Sequence, residues 1–246
     1  VNIKSDFPDF TRNNYDRLLK IAKAKFAFSF YTDFNRKENF ILWRHDVDFS
    51  LAYAFELAKI EAANKVRSTY FLLLHSRFYN LLEEENTNLV RKIMALGHDI
   101  GIHFDSHYYN IQEEVMLAKY LRFEMSIYDT IFGKKMKVFS FHNTTPFTLS
   151  CTKPKYAGLI NTYSNYFQNT LPYCSDSNGY WRHKRLENIL SDDSVKKLQV
   201  LTHPGWWHER PSSPFDRVKK VVQDHSEQIL EAYQKKLIYF GRKNIK

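Results

Sequence analysis

With 246 residues, 43% hydrophobic and 16% aromatic, the chain can bury a large core, and its seven glycines and seven prolines are scattered without a Ser/Gly linker, so a single domain over residues 1–246 is expected. The formal net charge of +9 comes from 36 Lys and Arg against 27 Asp and Glu, but the two signs are interleaved, which excludes a basic nucleic-acid stripe and leaves attraction toward anionic substrates. Two cysteines, Cys151 and Cys174, exclude a disulfide-framed scaffold, and the longest apolar run, residues 70–74, is far below the ~20 residues of a transmembrane helix, so a cytoplasmic location is expected.

Along the chain, Tyr15, Leu18, Leu19 and Ala22 recur at helical spacing after the cap-forming Asp9 and Thr11. Residues 40–43 read as a buried strand that runs into Arg44-His45-Asp46-Val47-Asp48, and Ser50 caps a helix over 51 to about 64. Residues 69–74 form the next strand, 89–96 a short helix stopped by Gly97, and 100–102 a brief strand delivering His103. Ile111, Val115, Ala118, Leu121, Met125, Tyr128 and Phe132 mark one face of a long helix ending at Gly133, after which strand 138–141 feeds His142. Strands over 158–163 and 171–174 follow, the second just before Asp176, and strand 198–201 delivers Thr202-His203. A closing helix from about 215 to 239 carries Val218, Val222, Ile229 and Tyr233 on one face. This alternation predicts an α/β fold with a parallel sheet, closed at this length into a barrel of about seven or eight strands. Asp46, Asp48, His103, His142, Asp176 and His203 all follow predicted strands, which is the catalytic rim of such a barrel.

His103 and His107 stand four residues apart, the spacing that puts two imidazoles on one face of a helical turn, and an aspartate would complete a set of two nitrogens and one oxygen. Such a set suits a borderline-soft divalent ion, zinc first with iron, cobalt and nickel as alternatives, and three protein ligands leave positions open for water and substrate. Of the aspartate pair, Asp48 is expected on the metal and Asp46 off it, because one intervening residue aims the two carboxylates differently. Asp46 is then free to move protons.

The segment Gly97-His98-Asp99-Ile100-Gly101-Ile102-His103-Phe104-Asp105-Ser106-His107 is similar to the Gly-His-Glu-Ile-x-x-His-Ser/Thr-x-x-His motif of the polysaccharide deacetylases, the NodB homology group or carbohydrate esterase family 4. His45-Asp46-Val47-Asp48 resembles a variant of that family's acidic motif, and Leu201-Thr202-His203 its late Leu-x-His. Two departures stand out. Where the family has an arginine before a Pro-Tyr pair, this chain has Ser140-Phe141-His142 and then Pro146-Phe147, so Arg44 or Arg182 would have to steady the base; and the Asp-plus-tryptophan motif is met loosely by Asp176 to Trp181. The combination of Arg-His-Asp-Val-Asp, Ser-Phe-His, Asp-Ser-Asn-Gly and His-Pro-Gly-Trp-Trp is more similar to divergent members of bacterial surface-polysaccharide and O-antigen synthesis than to secreted chitin deacetylases.

The resemblance implies a distorted (β/α) barrel of about seven strands and removal of an acetyl group from an N-acetylated sugar, nucleotide-linked or lipid-linked. A metal on Asp48, His103 and His107 would supply activated water, Asp46 would be the base, His203 would protonate the departing nitrogen, and Asp176 would orient His203. A backbone N–H near Phe147 would face the developing oxyanion. His142, Arg182, Trp206 and Trp207 are expected against the substrate, the tryptophans by stacking on sugar faces. Two alternatives stay open: a non-catalytic carbohydrate-binding relative of the deacetylases, and a hydrolase of small non-sugar amides.

Overall fold

A computed structural model describes residues 3–34 and 38–245. Its strands are β1 (Ala27–Phe28), β2 (Phe40–Val47), β3 (Thr69–Leu72), β4 (Asp99–Phe104), β5 (Val138–Phe141), β6 (Lys155–Tyr156), β7 (Leu159–Asn161), β8 (Tyr173–Ser175) and β9 (Lys197–Thr202). Between them lie α1 (Arg12–Lys25), α2 (Leu51–Ala63), α3 (Glu84–Ala95), α4 (Glu114–Phe132), α5 (Pro146–Ser150), α6 (Asn165–Thr170) and α7 (Leu186–Leu190), with α8 (Pro214–Tyr239) after β9. The sheet runs β6-β7-β5-β4-β3-β2-β9-β8, with β1 beside the start of β2. From β7 to β8 all neighbours are parallel, which makes seven parallel strands; β6 joins β7 antiparallel. The sheet curls into a half-barrel, and among the described residues its edge strands β6 and β8 do not pair with each other.

Every residue of β2 is buried, the pattern of a central parallel strand covered on both faces. Ser50 caps α2 as expected, its hydroxyl accepting from the Tyr53 N–H. Gly133 ends α4 in the left-handed region at φ 61°, a conformation that costs a residue with a Cβ. Gly101 on β4 serves a different need: a Cβ there would lie 2.6 Å from the Phe71 ring of β3.

Three expectations change. The acidic motif begins inside β2 rather than after it, with Asp46 in the strand and Asp48 just past its end, and the two carboxylates are told apart by their partners. The buried face of α4 is Leu117, Leu121, Glu124 and Tyr128, while Val115 is 75% exposed, because the helix starts only at Glu114 and Ile111 belongs to the preceding loop. On α8 only Arg217 and Val221 are buried, and Val222, Ile229 and Tyr233 face outward, since the helix packs mainly on the short turn Pro204–Trp206 near its start and runs on beyond it.

The outer face of β2 is tied to α2 by a buried polar cluster. Glu61 accepts from the hydroxyls of Tyr15 at 2.5 Å, Ser68 at 2.6 Å and Tyr70 at 2.7 Å, and pairs with His45 Nε2 at 2.7 Å. The other ring nitrogen of His45 lies 2.8 Å from Thr202 Oγ1 on β9. Burial alone would raise the Glu61 pKa, but the facing His45 and these donors hold it below the ordinary glutamate value. One carboxylate thereby locks β2, β3, β9 and α2 directly beneath Asp46 and His203. Glu61→Ala should cost about 3–5 kcal/mol of stability, the scale for breaking a buried charged pair. Urea unfolding checks this, and an unchanged midpoint would show that the cluster carries no such weight.

Candidate active site

Arg44, Asp46 and, just past the strand, Asp48 point from β2 into the curl of the sheet. The two aspartates line a cavity of about 860 Å³ together with His103, His142, His203, Arg182 and Trp206. His103 on β4 is in register with Ser140 on β5, so their side chains meet across the ladder. His103 Nδ1–H donates to Ser140 Oγ at 2.8 Å, and Ser140 donates onward to Asp46 Oδ1 at 3.3 Å. That chain of donors leaves the lone pair of His103 Nε2 facing the cavity. Asp48 Oδ1 lies 3.1 Å from this nitrogen and 3.4 Å from His142 Nδ1, and the two nitrogens are 3.1 Å apart.

Three ligand atoms thus converge within one coordination sphere. Asp48 Oδ1 is buried and has no hydrogen-bond partner, a costly state for a carboxylate oxygen unless a cation compensates it. Burial would raise the Asp48 pKa, but the imidazoles of His103 and His142 hold it far below the usual carboxylate range. His142 is lowered by burial and raised more strongly by Asp48, with a net upward shift. The Asn143 amide lies 2.8 Å from His142 Nε2; with its oxygen turned to that nitrogen, Nε2–H donates and the Nδ1 lone pair is free to bind an ion. The residues fit a divalent metal.

His107, expected as the third ligand, is not in this group. The chain is still an extended strand at His103 and turns only after Phe104, so the four-residue spacing spans a strand–turn junction and not a helical turn. The Asp105 side chain, accepting from the backbone N–H groups of His107 and Tyr108, shapes that turn. His107 sits at the cavity rim with Nε2–H donating to the Asn143 carbonyl at 2.9 Å.

Asp46 is held on both oxygens, by Ser140 on one side and by Arg44 Nη2 at 3.2 Å on the other, with both members of the ion pair buried. Thr162 accepts from the Arg44 Nη1–H at 2.8 Å and fixes the guanidinium. Arg44 therefore steadies the candidate base; Arg182 lines the cavity with an exposed side chain and does not bond Asp46. Across Asp48, His203 follows β9. Its Nδ1–H donates to the buried Asp176 at 2.6 Å, its backbone N–H donates to the same carboxylate, and its Nε2 lies 3.8 Å from Asp48 Oδ2. Burial lowers the His203 pKa, but Asp176 more than offsets it, to about 9.

Trp207 is fully buried and donates its indole N–H to Asp176 at 2.9 Å, so it braces the His203 partner and cannot stack on a sugar. Trp206 does line the cavity, packed edge-on against Phe49. Phe147 faces a separate, smaller pocket with Ser106 and His107, because Pro146 starts α5 and carries the segment off the main cavity. The metal-binding geometry of His142, and the part of Ser140, depend on the β4–β5 register, for which the sequence carries no local signal.

No protein-family model matches the sequence, and no curated protein matches it. Solved structures do. A family 4 carbohydrate esterase (CE4) from Streptococcus mutans is similar at a TM-score of 0.50 and 13% identity, covering 87% of this chain and 90% of that one. The fold is that of the CE4 deacetylases. A family 4 carbohydrate esterase from Bacillus anthracis gives a TM-score of 0.47 at 17% identity over 87% of this chain and 86% of that chain. A mutant of a CE4 pseudoenzyme from the same organism, with restored activity, gives 0.44 at 13% identity over 78% of this chain. The present chain spans only 64% of that last protein.

Two measurements follow. Elemental analysis of purified variants should find the ion lost from Asp48→Ala, His103→Ala and His142→Ala and kept in His107→Ala; the opposite behaviour of the last two would return the third position to His107. In an NMR titration the His203 ring should change protonation near pH 9, and Asp176→Asn should move that midpoint down, because the group that favours the imidazolium is gone.

Proposed function

We propose that this protein is a metal-dependent hydrolase that removes the acetyl group from an N-acetylated sugar. The observation that carries the reading is one cavity in which three converging ligand atoms lie between an arginine-held carboxylate, Asp46, and an aspartate-held imidazole, His203.

An acetamide is hydrolysed when water attacks its carbonyl carbon, negative charge develops on the oxygen, and the nitrogen leaves as an amine. A divalent ion on Asp48, His103 and His142, zinc first by its nitrogen and oxygen donors, would supply Lewis acidity and water with a pKa lowered to roughly 7. Asp46 accepts the proton of the attacking water. Arg44 and Ser140, on its two oxygens, keep it from swinging toward the ion and hold it in place beside the reacting atoms. His203, kept protonated by Asp176, gives the Nε2 proton to the nitrogen as the C–N bond breaks. Trp207 and the His203 backbone N–H hold Asp176 still, so the imidazole does not rotate away from the cavity. The products are acetate and a free amino sugar. Trp206 offers an apolar wall for a pyranose face. The setting we infer is surface-polysaccharide or O-antigen synthesis, supported by the motif combination around Asp46, His142, Asp176 and His203.

Acetate release from N-acetylated sugars by the ion-loaded protein tests the reading. Asp46→Asn should lower kcat by about 10²–10⁴ with the ion retained, the range for loss of a general base. Removing the ion by chelation should abolish turnover, and adding zinc should restore it. A loaded protein that frees no acetate from any N-acetylated sugar would instead be a carbohydrate-binding relative.

A further inference from the structure

The cavity is larger than its reacting centre, and its walls differ in charge. At about 860 Å³ it lies in the upper part of the usual range for small-molecule sites, so a sugar over Asp48 leaves room beside it. On the β4 and β5 side the wall contains Asp105. On the β8 side, residues 175–183, it is made of Ser175, Ser177, Asn178, Arg182 and His183. The only carboxylate in that stretch, Asp176, is fully buried and already bonded to His203 and Trp207. Ser177 Oγ lies 2.6 Å from Ser175 Oγ, so one hydroxyl of the pair donates to the other and the second keeps a free O–H. Arg182 and His183 are exposed, and neither forms an ion pair among the described residues, whereas the nearby Arg185 is paired with Asp9. The wall offers hydroxyl, amide, guanidinium and imidazole donors and no free acceptor carboxylate, which is what a tetrahedral oxyanion needs and a neutral sugar does not.

Resting on the deacetylase reading, we propose that the substrate carries a phosphate or diphosphate beside its acetamido sugar, and that Ser177, Asn178, Arg182 and His183 recognise that group. Nucleotide-linked and lipid-linked sugars share this chemistry. The planar fork of Arg182 grips the phosphate oxygens and sets the acetamide over Asp48. Arg77, the other exposed arginine of the cavity wall, follows β3 on the far side of β2 and β9 and lies outside this recognition wall.

Calorimetric titration of inorganic pyrophosphate into the protein as isolated, and into Arg182→Gln and Arg77→Gln, tests the wall without any turnover. Binding should weaken at least about tenfold in Arg182→Gln, the loss of one charge-assisted contact, and clearly less in Arg77→Gln. No binding by the wild type, or equal weakening by both substitutions, would overturn the proposal. Acetate release is then compared among an acetamido sugar, its 1-phosphate, a nucleoside-diphosphate sugar and a polyprenyl-diphosphate sugar in detergent. A higher kcat/KM for the phosphorylated forms supports the assignment, and the best of them names the carrier; equal values for all would overturn it. Pyrophosphate binding that depends on Arg182, with no acetate from any substrate, would leave the anion wall standing and remove the deacetylase reading.

Discussion

Buried carboxylates have to be neutralised, and most of this structure follows from how that is done around β2. Ionised side chains lose several kcal/mol of hydration when a sheet closes over them, so each needs donors or an opposite charge within reach. On the outer face of β2, Glu61 is satisfied by three hydroxyls and His45. On the inner face, Asp46 is satisfied by Arg44 and Ser140. Asp176 is satisfied by His203 and Trp207. Asp48 keeps a buried oxygen without a hydrogen-bond partner, and that oxygen lies 3.1 and 3.4 Å from two imidazole nitrogens. An unpaired carboxylate oxygen thus stands at a place where a cation would compensate it.

The same bookkeeping separates the roles of the two neighbouring aspartates. Asp46 lies in β2 and Asp48 just past its end, and their partners distinguish them. Asp46 is committed to a guanidinium and a hydroxyl, which restricts its motion. Asp48 is committed to nitrogens whose lone pairs also need a positive charge. His203 stands on the opposite side with a proton that Asp176 keeps in place up to a pKa of about 9. The proposed base, ion site and acid lie around one cavity, a layout suited to splitting an amide because proton removal and proton delivery would then occur at different places and not compete.

Much of this was legible in the residues, and the reason is local. Apolar period and capping residues place α1, α2 and the central strands within a few positions, since helix and strand periodicity are set by neighbours in the chain. Asp46, Asp48, His103 and His203 were recognisable because each sits in a short motif at a strand end. The long helix α4 was placed but its face was shifted, because Val115 looks like a core residue and Glu124 does not, and only the packing against β4 and its neighbours decides which is buried.

What remained hidden depends on register between segments far apart in the chain. His107 is near His103 in sequence, and that nearness suggested a shared ion, but β4 is still extended at His103 and the turn carries His107 to the rim. His142 is 39 residues away and yet its ring nitrogen is 3.1 Å from that of His103, because β5 pairs beside β4 in a register that sets Ser140 against His103. Arg44 reaches Asp46 along β2 itself, two residues away, and Trp207 turns inward to Asp176 from the segment after β9. The sequence by itself determined the alternating fold and marked Asp46, Asp48, His103 and His203 as candidates; that His142 rather than His107 comes beside His103 was decided by strand pairing, since a side chain's partners across a sheet are chosen by the ladder and not by the chain.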